Sequence, residues 1–159
     1  MVLPRTLWTA SAALLGACTS ADEPTDTSPS GDAGPLHAEC SGAEDFEIGL
    51  HKPGMADSLH MRVLDAVPAR PEKFENDWLI EVGDDDGPIE AAEITVEPYM
   101  PTHGHDGTFA PEVSPMDEAG QYAIDRINLW MAGPWEVRFM IRIGDTEVDR
   151  IVYDVCIEG

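Results

Sequence analysis

Two stretches near the C-terminus alternate between apolar and polar residues, and a turn sequence separates them. Every second side chain is apolar in residues 135–143 and again in residues 151–157, and Gly144 and Asp145 stand between the two stretches. A period of two places successive side chains on opposite faces of a β-strand. The pattern therefore predicts a β-hairpin with one buried face.

The same short period recurs upstream, and no segment shows the 3.6-residue period of an amphipathic helix. The apolar stretches are short and are separated by Gly, Pro and acidic clusters, which is typical of an all-β sandwich or barrel. The 159 residues suit a single folded domain. The further predicted strands cover residues 45–50, 59–63, 76–82, 92–97 and 122–131.

The last of these strands changes phase along its length. Tyr122 and Ile124 share one parity, whereas Ile127 and Leu129 share the other. One extra residue in a strand reverses the faces of the residues that follow it. We therefore predict a β-bulge near residues 125 and 126.

The chain carries 31 acidic and 9 basic residues, a formal charge of −22. Such a charge argues against nucleic acid and against an anionic membrane surface as direct partners. The carboxylates are scattered, and the sequence contains neither a nucleophile-elbow motif nor a glycine-rich phosphate loop after a strand. We therefore expect a protein that is not an enzyme.

Residues 1–17 have the features of an export signal. Arg5 precedes an apolar run at residues 7–15, which is too short to span a bilayer as a helix. The segment Leu15-Gly16-Ala17-Cys18 resembles the lipobox of bacterial lipoproteins, in which the thiol of the cysteine accepts a diacylglycerol. An ordinary secretory signal with an incidental cysteine is the alternative.

The lipobox resemblance implies an exported, lipid-anchored cell-envelope protein that contacts the bilayer through Cys18 only. By analogy with lipoprotein sorting in Gram-negative bacteria, Thr19 at the next position favours the outer membrane or a periplasmic face. Residues 18–36 offer almost nothing to bury, which predicts a flexible linker. We expect the folded domain to cover residues 37–159.

If Cys18 carries lipid, Cys40 and Cys156 remain as an even pair in an oxidising compartment. We predict that they form a disulfide. In the loop-closure model, this bridge would stabilise the fold by about 4 to 5 kcal/mol. Metal binding by thiolates is the alternative, but the sequence has no third cysteine nearby.

Soft and imidazole donors crowd together in residues 99–107. Met100, His103 and His105 lie within six positions, and Gly104 allows the backbone to bend between the histidines. Thioether and imidazole donors together suit copper. Met131 is the predicted further ligand, and Met116 on the intervening loop is another candidate. Two other interpretations stay open: the histidines cap a turn, and Met131 fills the core.

Three motifs resemble the YtkA-like domain, a relative of the FixH-type proteins. They are the segment Tyr99-Met100-Pro101-Thr102-His103-Gly104-His105, the segment Gly120-Gln121-Tyr122, and Leu129-Trp130-Met131-Ala132-Gly133-Pro134-Trp135-Glu136-Val137. The resemblance covers residues from about 45 to 155. It implies an immunoglobulin-like β-sandwich of about seven strands, exported to the cell envelope and associated with copper handling or respiratory oxidase assembly.

These observations favour a lipid-anchored protein that binds a copper ion at Met100, His103, His105 and Met131 and delivers it to an envelope partner, such as a copper enzyme or an oxidase. The alternative is a non-catalytic interaction or structural module without a metal. In that case Met100, Pro101 and nearby aromatic side chains would form a protein-contact edge.

Overall fold

The computed structural model describes residues 40–159, and all regular structure in this range is β-strand. The predicted signal peptide 1–17, the lipidated Cys18 and the linker 18–36 lie outside the described residues. Residues 40–159 contain no helix that is long and apolar enough to span a bilayer. The strands are β1 (His51–Pro53), β2 (His60–Val67), β3 (Phe74–Asp84), β4 (Gly87–Pro88), β5 (Glu93–Met100), β6 (His105–Asp106), β7 (Glu112–Pro115), β8 (Gln121–Leu129), β9 (Gly133–Ile143) and β10 (Thr146–Ile157).

The strands form two sheets in which all neighbours are antiparallel. One sheet has the order β1-β2-β3-β8-β7, with β4 paired to β3, and the other has the order β10-β9-β5-β6. This architecture confirms the predicted all-β sandwich. In place of about seven strands, the described chain has six long strands and four short ones.

Aromatic side chains from both sheets meet in the core. Trp78 on β3 lies 6.1 Å from Phe139 on β9 and 5.7 Å from Tyr153 on β10, measured between ring centroids. The hydroxyl of Tyr153 donates a hydrogen bond of 3.0 Å to the carbonyl of Met61. Burying each such side chain contributes about 1.5 to 3 kcal/mol, so this cluster helps to hold the two sheets together.

The predicted C-terminal hairpin is present as β9 and β10. Trp135 pairs with Val155 and Phe139 pairs with Ile151, and these four side chains are buried, whereas Ile143 at the end of the alternation is 42% exposed. The two-residue period in the sequence therefore predicts correctly which face of the hairpin is buried.

The predicted bulge in β8 is also present. Asn76 pairs with Ile127 and Trp78 pairs with Ile124, so that one residue of β3 lies opposite two residues of β8. Arg126 adopts a φ of 64°, and its backbone N–H donates to the carboxylate of Asp77 at 2.8 Å. This extra residue returns the second half of β8 to the core-facing phase.

The predicted strand at residues 45–50 is wrong. Phe46 is buried, but Ile48 is 48% exposed, and Gly49 adopts a φ of 97°. The N–H of Leu50 donates to the carbonyl of Glu47, which closes a turn. A glycine with positive φ at the third position of a β-turn outweighs the alternation of three apolar residues.

Cys40 and Cys156 form a disulfide whose Cα atoms are 5.6 Å apart. Cys156 pairs with Pro134 in the β9–β10 ladder. The bridge therefore attaches the first described residues to the end of the sandwich at which β9 begins.

The segment after Cys40 covers part of the free edge of β10. The N–H of Glu44 donates to the carbonyl of Asp154 at 2.7 Å, and the N–H of Met55 donates to the carbonyl of Arg150 at 2.8 Å. An uncovered strand edge is a template for pairing with other chains. These bonds satisfy two carbonyl groups of that edge.

Candidate metal centre

Residues 99–107 form a tight hairpin between β5 and β6. Met100 ends β5 and pairs with His105, the first residue of β6. The N–H groups of His103 and Gly104 both donate to the carbonyl of Met100, at 3.2 and 2.8 Å. Gly104 adopts a φ of 65°, which is accessible to glycine at little cost. The turn therefore folds the three predicted ligands of this loop into one corner of the sheet.

Met100 and His105 lie directly opposite each other, so their side chains share one face of the sheet. Met100 is 1% exposed. Its terminal methyl group lies 2.7 Å from the position that a Cβ would occupy at Gly133, so a side chain at that position would collide with it. The thioether is thus enclosed between β5 and the start of β9.

The imidazole of His105 is held by two indoles. It stacks on Trp130, with ring centroids 5.0 Å apart and 23° between the planes, and it meets Trp135 edge-on at 5.7 Å. Offset and edge-to-face contacts of this kind contribute about 0.5 to 1.5 kcal/mol each. The ring therefore has a defined orientation, although the loop that carries it is largely exposed.

One nitrogen of this ring has no partner. Nδ1 of His105 lies 3.2 Å from the carbonyl oxygen of Asp106. A carbonyl only accepts, so the contact requires the proton on Nδ1 and leaves a lone pair on Nε2 of the neutral ring. Nε2 is buried without a hydrogen bond. A buried acceptor without a partner costs about 1 to 3 kcal/mol, and coordination of a metal ion would use this lone pair.

His103 lies on the exposed turn beside His105. The two ring centroids are 5.8 Å apart, with 52° between the planes. An ion bound to two imidazole nitrogens at about 2.0 to 2.1 Å holds the ring centroids about 4.5 to 6.4 Å apart, depending on the N–metal–N angle. The observed separation is therefore compatible with a shared ion.

Met131 lies in the segment between β8 and β9 and packs, partly buried, against the core. Its carbonyl accepts a hydrogen bond of 2.9 Å from the indole N–H of Trp135. The backbone of Met131 thus fixes the indole that meets His105 edge-on. Met116 lies at the opposite end of β8, because its N–H donates to the carbonyl of Gln121.

Within residues 40–159, no three His, Cys, Asp or Glu side chains converge closely enough to hold a metal ion. A centre at the loop with three protein side-chain ligands would therefore include a thioether. The donors gathered there are a thioether in Met100 and imidazoles in His105 and His103. This mixture suits copper better than hard cations such as Mg²⁺ or Ca²⁺, which prefer oxygen ligands.

A family model described as YtkA-like matches residues 55–140. The chain belongs to the YtkA-like family. The match confirms the resemblance, and the YtkA-like region contains all four predicted ligands. Cys40, His51 and Cys156 lie outside it. No curated protein and no solved structure matches the chain.

The ligand prediction missed Trp130, Trp135 and Gly133, which shape the site in this YtkA-like domain. The signal for them was present, because all three belong to the Trp-Met-x-Gly-x-Trp segment that carried the family resemblance. The indole N–H of Trp130 is buried without an acceptor, as Nε2 of His105 is buried without a donor. Because the two rings stack nearly in parallel, the indole N–H does not point at the imidazole nitrogen. No hydrogen bond therefore forms between them.

Proposed function

We propose that this YtkA-like protein binds copper between Met100 and His105 and passes it to an envelope partner, such as a copper enzyme or an oxidase. The observation that carries the proposal is the buried, unpartnered Nε2 of His105, which lies on the same face of the sheet as the thioether of Met100. His103 and Met131 are the further proposed ligands. We propose a binding and delivery role without catalysis.

Each donor has a distinct part in the proposed site. Met100 and Nε2 of His105 are shielded from water, and a soft thioether with an imidazole favours Cu(I). His103 is exposed on the turn, where it can hold the ion while a recipient approaches. A site with few ligands and one exposed donor releases its ion readily, which suits a carrier.

Copper titration of the full chain in detergent micelles tests the site. We expect Met100→Leu and His105→Ala each to weaken Cu(I) binding by about tenfold or more in competition with a chromogenic chelator. Met116→Leu is the matched control, because this methionine lies at the other end of β8, and it should leave binding unchanged. Equal binding by the wild type and by a His103→Ala, His105→Ala double variant would remove the loop from the proposal.

The proposed location is a lipid anchor at Cys18 in the cell envelope, at the outer membrane or a periplasmic face. Its support is the lipobox-like sequence that ends in Cys18. Metabolic labelling with a fatty acid tests it. Wild-type chain should carry the label and sediment with membranes, whereas Cys18→Ala should lose both properties. A Cys18→Ala chain that still carries the label would contradict the anchor.

The competing function is a metal-independent interaction module. Residues 101–104 are exposed at the edge of the four-stranded sheet, where β6 leaves backbone groups available to a partner strand. Met100 is buried, so this function would depend on Pro101, Thr102 and His103. Capture of an envelope partner without copper, and its loss when these three residues are replaced by Gly and Ser, would favour this function over copper binding.

A further inference from the structure

A second pair of histidines lies close together on the other sheet. His51 on β1 and His60 on β2 have ring centroids 5.0 Å apart, with 41° between the planes. Gln121 and Leu129 are the two end residues of β8, and they lie about 25 Å apart. His60 lies near the Gln121 end, because it pairs with Gly83, whereas His105 stacks on Trp130, immediately after Leu129. The two histidine pairs therefore occupy opposite ends of the sandwich.

The strand register places both imidazoles on the solvent-facing side of the sheet. His51 pairs with Arg62, and His60 pairs with Pro53, so the histidines are diagonal neighbours on one face. Met61 points to the opposite face and is fully buried. Both histidines are therefore available to an ion from solvent.

The imidazole of His60 has a defined place over Gly83. A Cβ at position 83 would lie 2.9 Å from Nε2 and 3.4 Å from Cε1 of that ring. Gly83 has no positive φ, so its backbone conformation does not require glycine. The missing side chain instead makes room for the ring and for the carbonyl oxygen of Gly87, which would lie 3.0 Å from an added Cβ. Packing against Gly83 restricts the ring of His60, which reduces the rotamer entropy that this side chain would lose on binding an ion.

The spacing of the two rings fits chelation of one ion. Metal–nitrogen bonds of about 2.0 to 2.1 Å place the ring centroids about 4.5 Å apart at a right-angled N–metal–N geometry and about 5.2 Å apart at a tetrahedral one. The observed 5.0 Å lies between these values. The nearby guanidinium of Arg62 donates to Glu81 at 2.6 Å, so a carboxylate balances its positive charge. The net charge of −22 attracts cations to the whole surface.

We propose that His51 and His60 form a second metal site, for a divalent ion that prefers imidazole ligands, with Cu²⁺ bound more tightly than Zn²⁺. The donors are two imidazoles without a thioether, so the site favours Cu²⁺ over Cu(I). Water fills the remaining coordination positions, which makes the ion exchangeable. His51 lies outside the residues that the family model matches, whereas His60 lies within them. The site does not depend on the copper proposal for the Met100 loop.

Cu²⁺ titration of the full chain in detergent, followed by electron paramagnetic resonance, tests the proposal. The starting protein is the His103→Ala, His105→Ala variant, which removes the loop donors. This variant should still bind Cu²⁺ through two equatorial imidazole nitrogens. Adding His51→Ala or His60→Ala should weaken binding by about a hundredfold, because the chelate becomes a single contact, and should leave one coupled nitrogen.

Two further variants separate this site from general cation attraction. Gly83→Ala keeps both histidines but displaces the ring of His60, and it should also weaken Cu²⁺ binding. His37→Ala removes a different histidine and should leave binding unchanged. No bound Cu²⁺ in the starting protein, or the same affinity and the same nitrogen count after loss of His51 or His60, would overturn the proposal.

Discussion

Gly54 leaves open the space that the carboxylate of Asp149 occupies, because a Cβ at position 54 would overlap with the atoms of that group. The carboxylate accepts backbone N–H groups from Ala56, Ser58 and Leu59, at 2.8, 3.1 and 3.0 Å. One buried anion thus organises the whole turn that precedes β2. This turn also determines where β2 begins, at His60.

The stability of the protein should fall in acid through Asp149. Burial raises the pKa of this carboxyl, but hydrogen bonds from the backbone of Ala56, Leu59 and Arg150 and from the hydroxyl of Ser58 outweigh burial and lower the pKa overall. A lowered pKa means that the stabilisation is present above the unfolded value of about 3.9 and is lost as the pH falls through the folded value.

We therefore expect Asp149→Asn to lower the free energy of unfolding by about 1 to 3 kcal/mol at pH 7. The difference between the variant and the wild type should shrink as the pH falls below the unfolded value of about 3.9, because the wild-type carboxyl becomes protonated as the pH falls through its lowered folded pKa. Urea denaturation at pH 7 and at a series of acidic pH values measures this difference. A constant difference between the two proteins across this range would contradict the role of the charge.

Gly133→Ala should displace the side chain of Met100 in the candidate metal centre. Gly133 has a φ of 123°, and its missing side chain makes room for the methyl group of Met100. We expect a loss of about 1 to 3 kcal/mol in unfolding free energy and weaker Cu(I) binding. Gly144→Ala is the matched control, because Gly144 also has a positive φ but nothing lies within 4 Å of its added Cβ. The control should lose some stability and keep its copper affinity.

Trp130 should report copper binding by fluorescence. Its indole stacks on His105 at 5.0 Å, so an ion at Nε2 of His105 would quench its emission. We expect Cu(I) to quench the wild type and to quench Trp130→Phe less, because only Trp135, whose ring centroid lies 5.7 Å from that of His105, then remains beside the ion. The His105→Ala variant should show little quenching although its Trp130 is intact. Equal quenching in all three proteins would place the ion elsewhere.

Removing the disulfide should weaken the fold without unfolding the core. The bridge closes a loop with a sequence separation of 116 residues, and the loop-closure model assigns such a bridge about 4 to 5 kcal/mol. Cys40→Ser, Cys156→Ser and the double variant should all lose similar stability in thermal or urea unfolding. A double variant as stable as the wild type would show that the terminal segment is held by its hydrogen bonds to β10.

The sequence predicted those parts of the fold that depend on local patterns. The hairpin of β9 and β10 and the bulge at Arg126 follow from the parity of apolar residues, which burial on one face enforces. The strand at residues 45–50 failed because a single glycine turn at Gly49 overrode that parity.

The contents of the candidate site were only partly predictable. The pairing of Met100 with His105 follows from a short hairpin loop, whereas the stacking of His105 on Trp130 joins two segments that are distant in sequence. The approach of His51 to His60 depends on the register of β1 against β2, which apolar periodicity alone does not specify.

The position of the disulfide determines which end of the sandwich is joined to the chain before Cys40. Cys156 lies opposite Pro134, next to the glycine that contacts Met100, so Cys40 is attached at the same end of the sandwich as the candidate metal centre. In a chain lipidated at Cys18, the path from the bilayer reaches the domain at this end. The point at which the preceding chain enters the described domain and the candidate metal centre therefore share one end of the sandwich, whereas His51 and His60 lie at the other end.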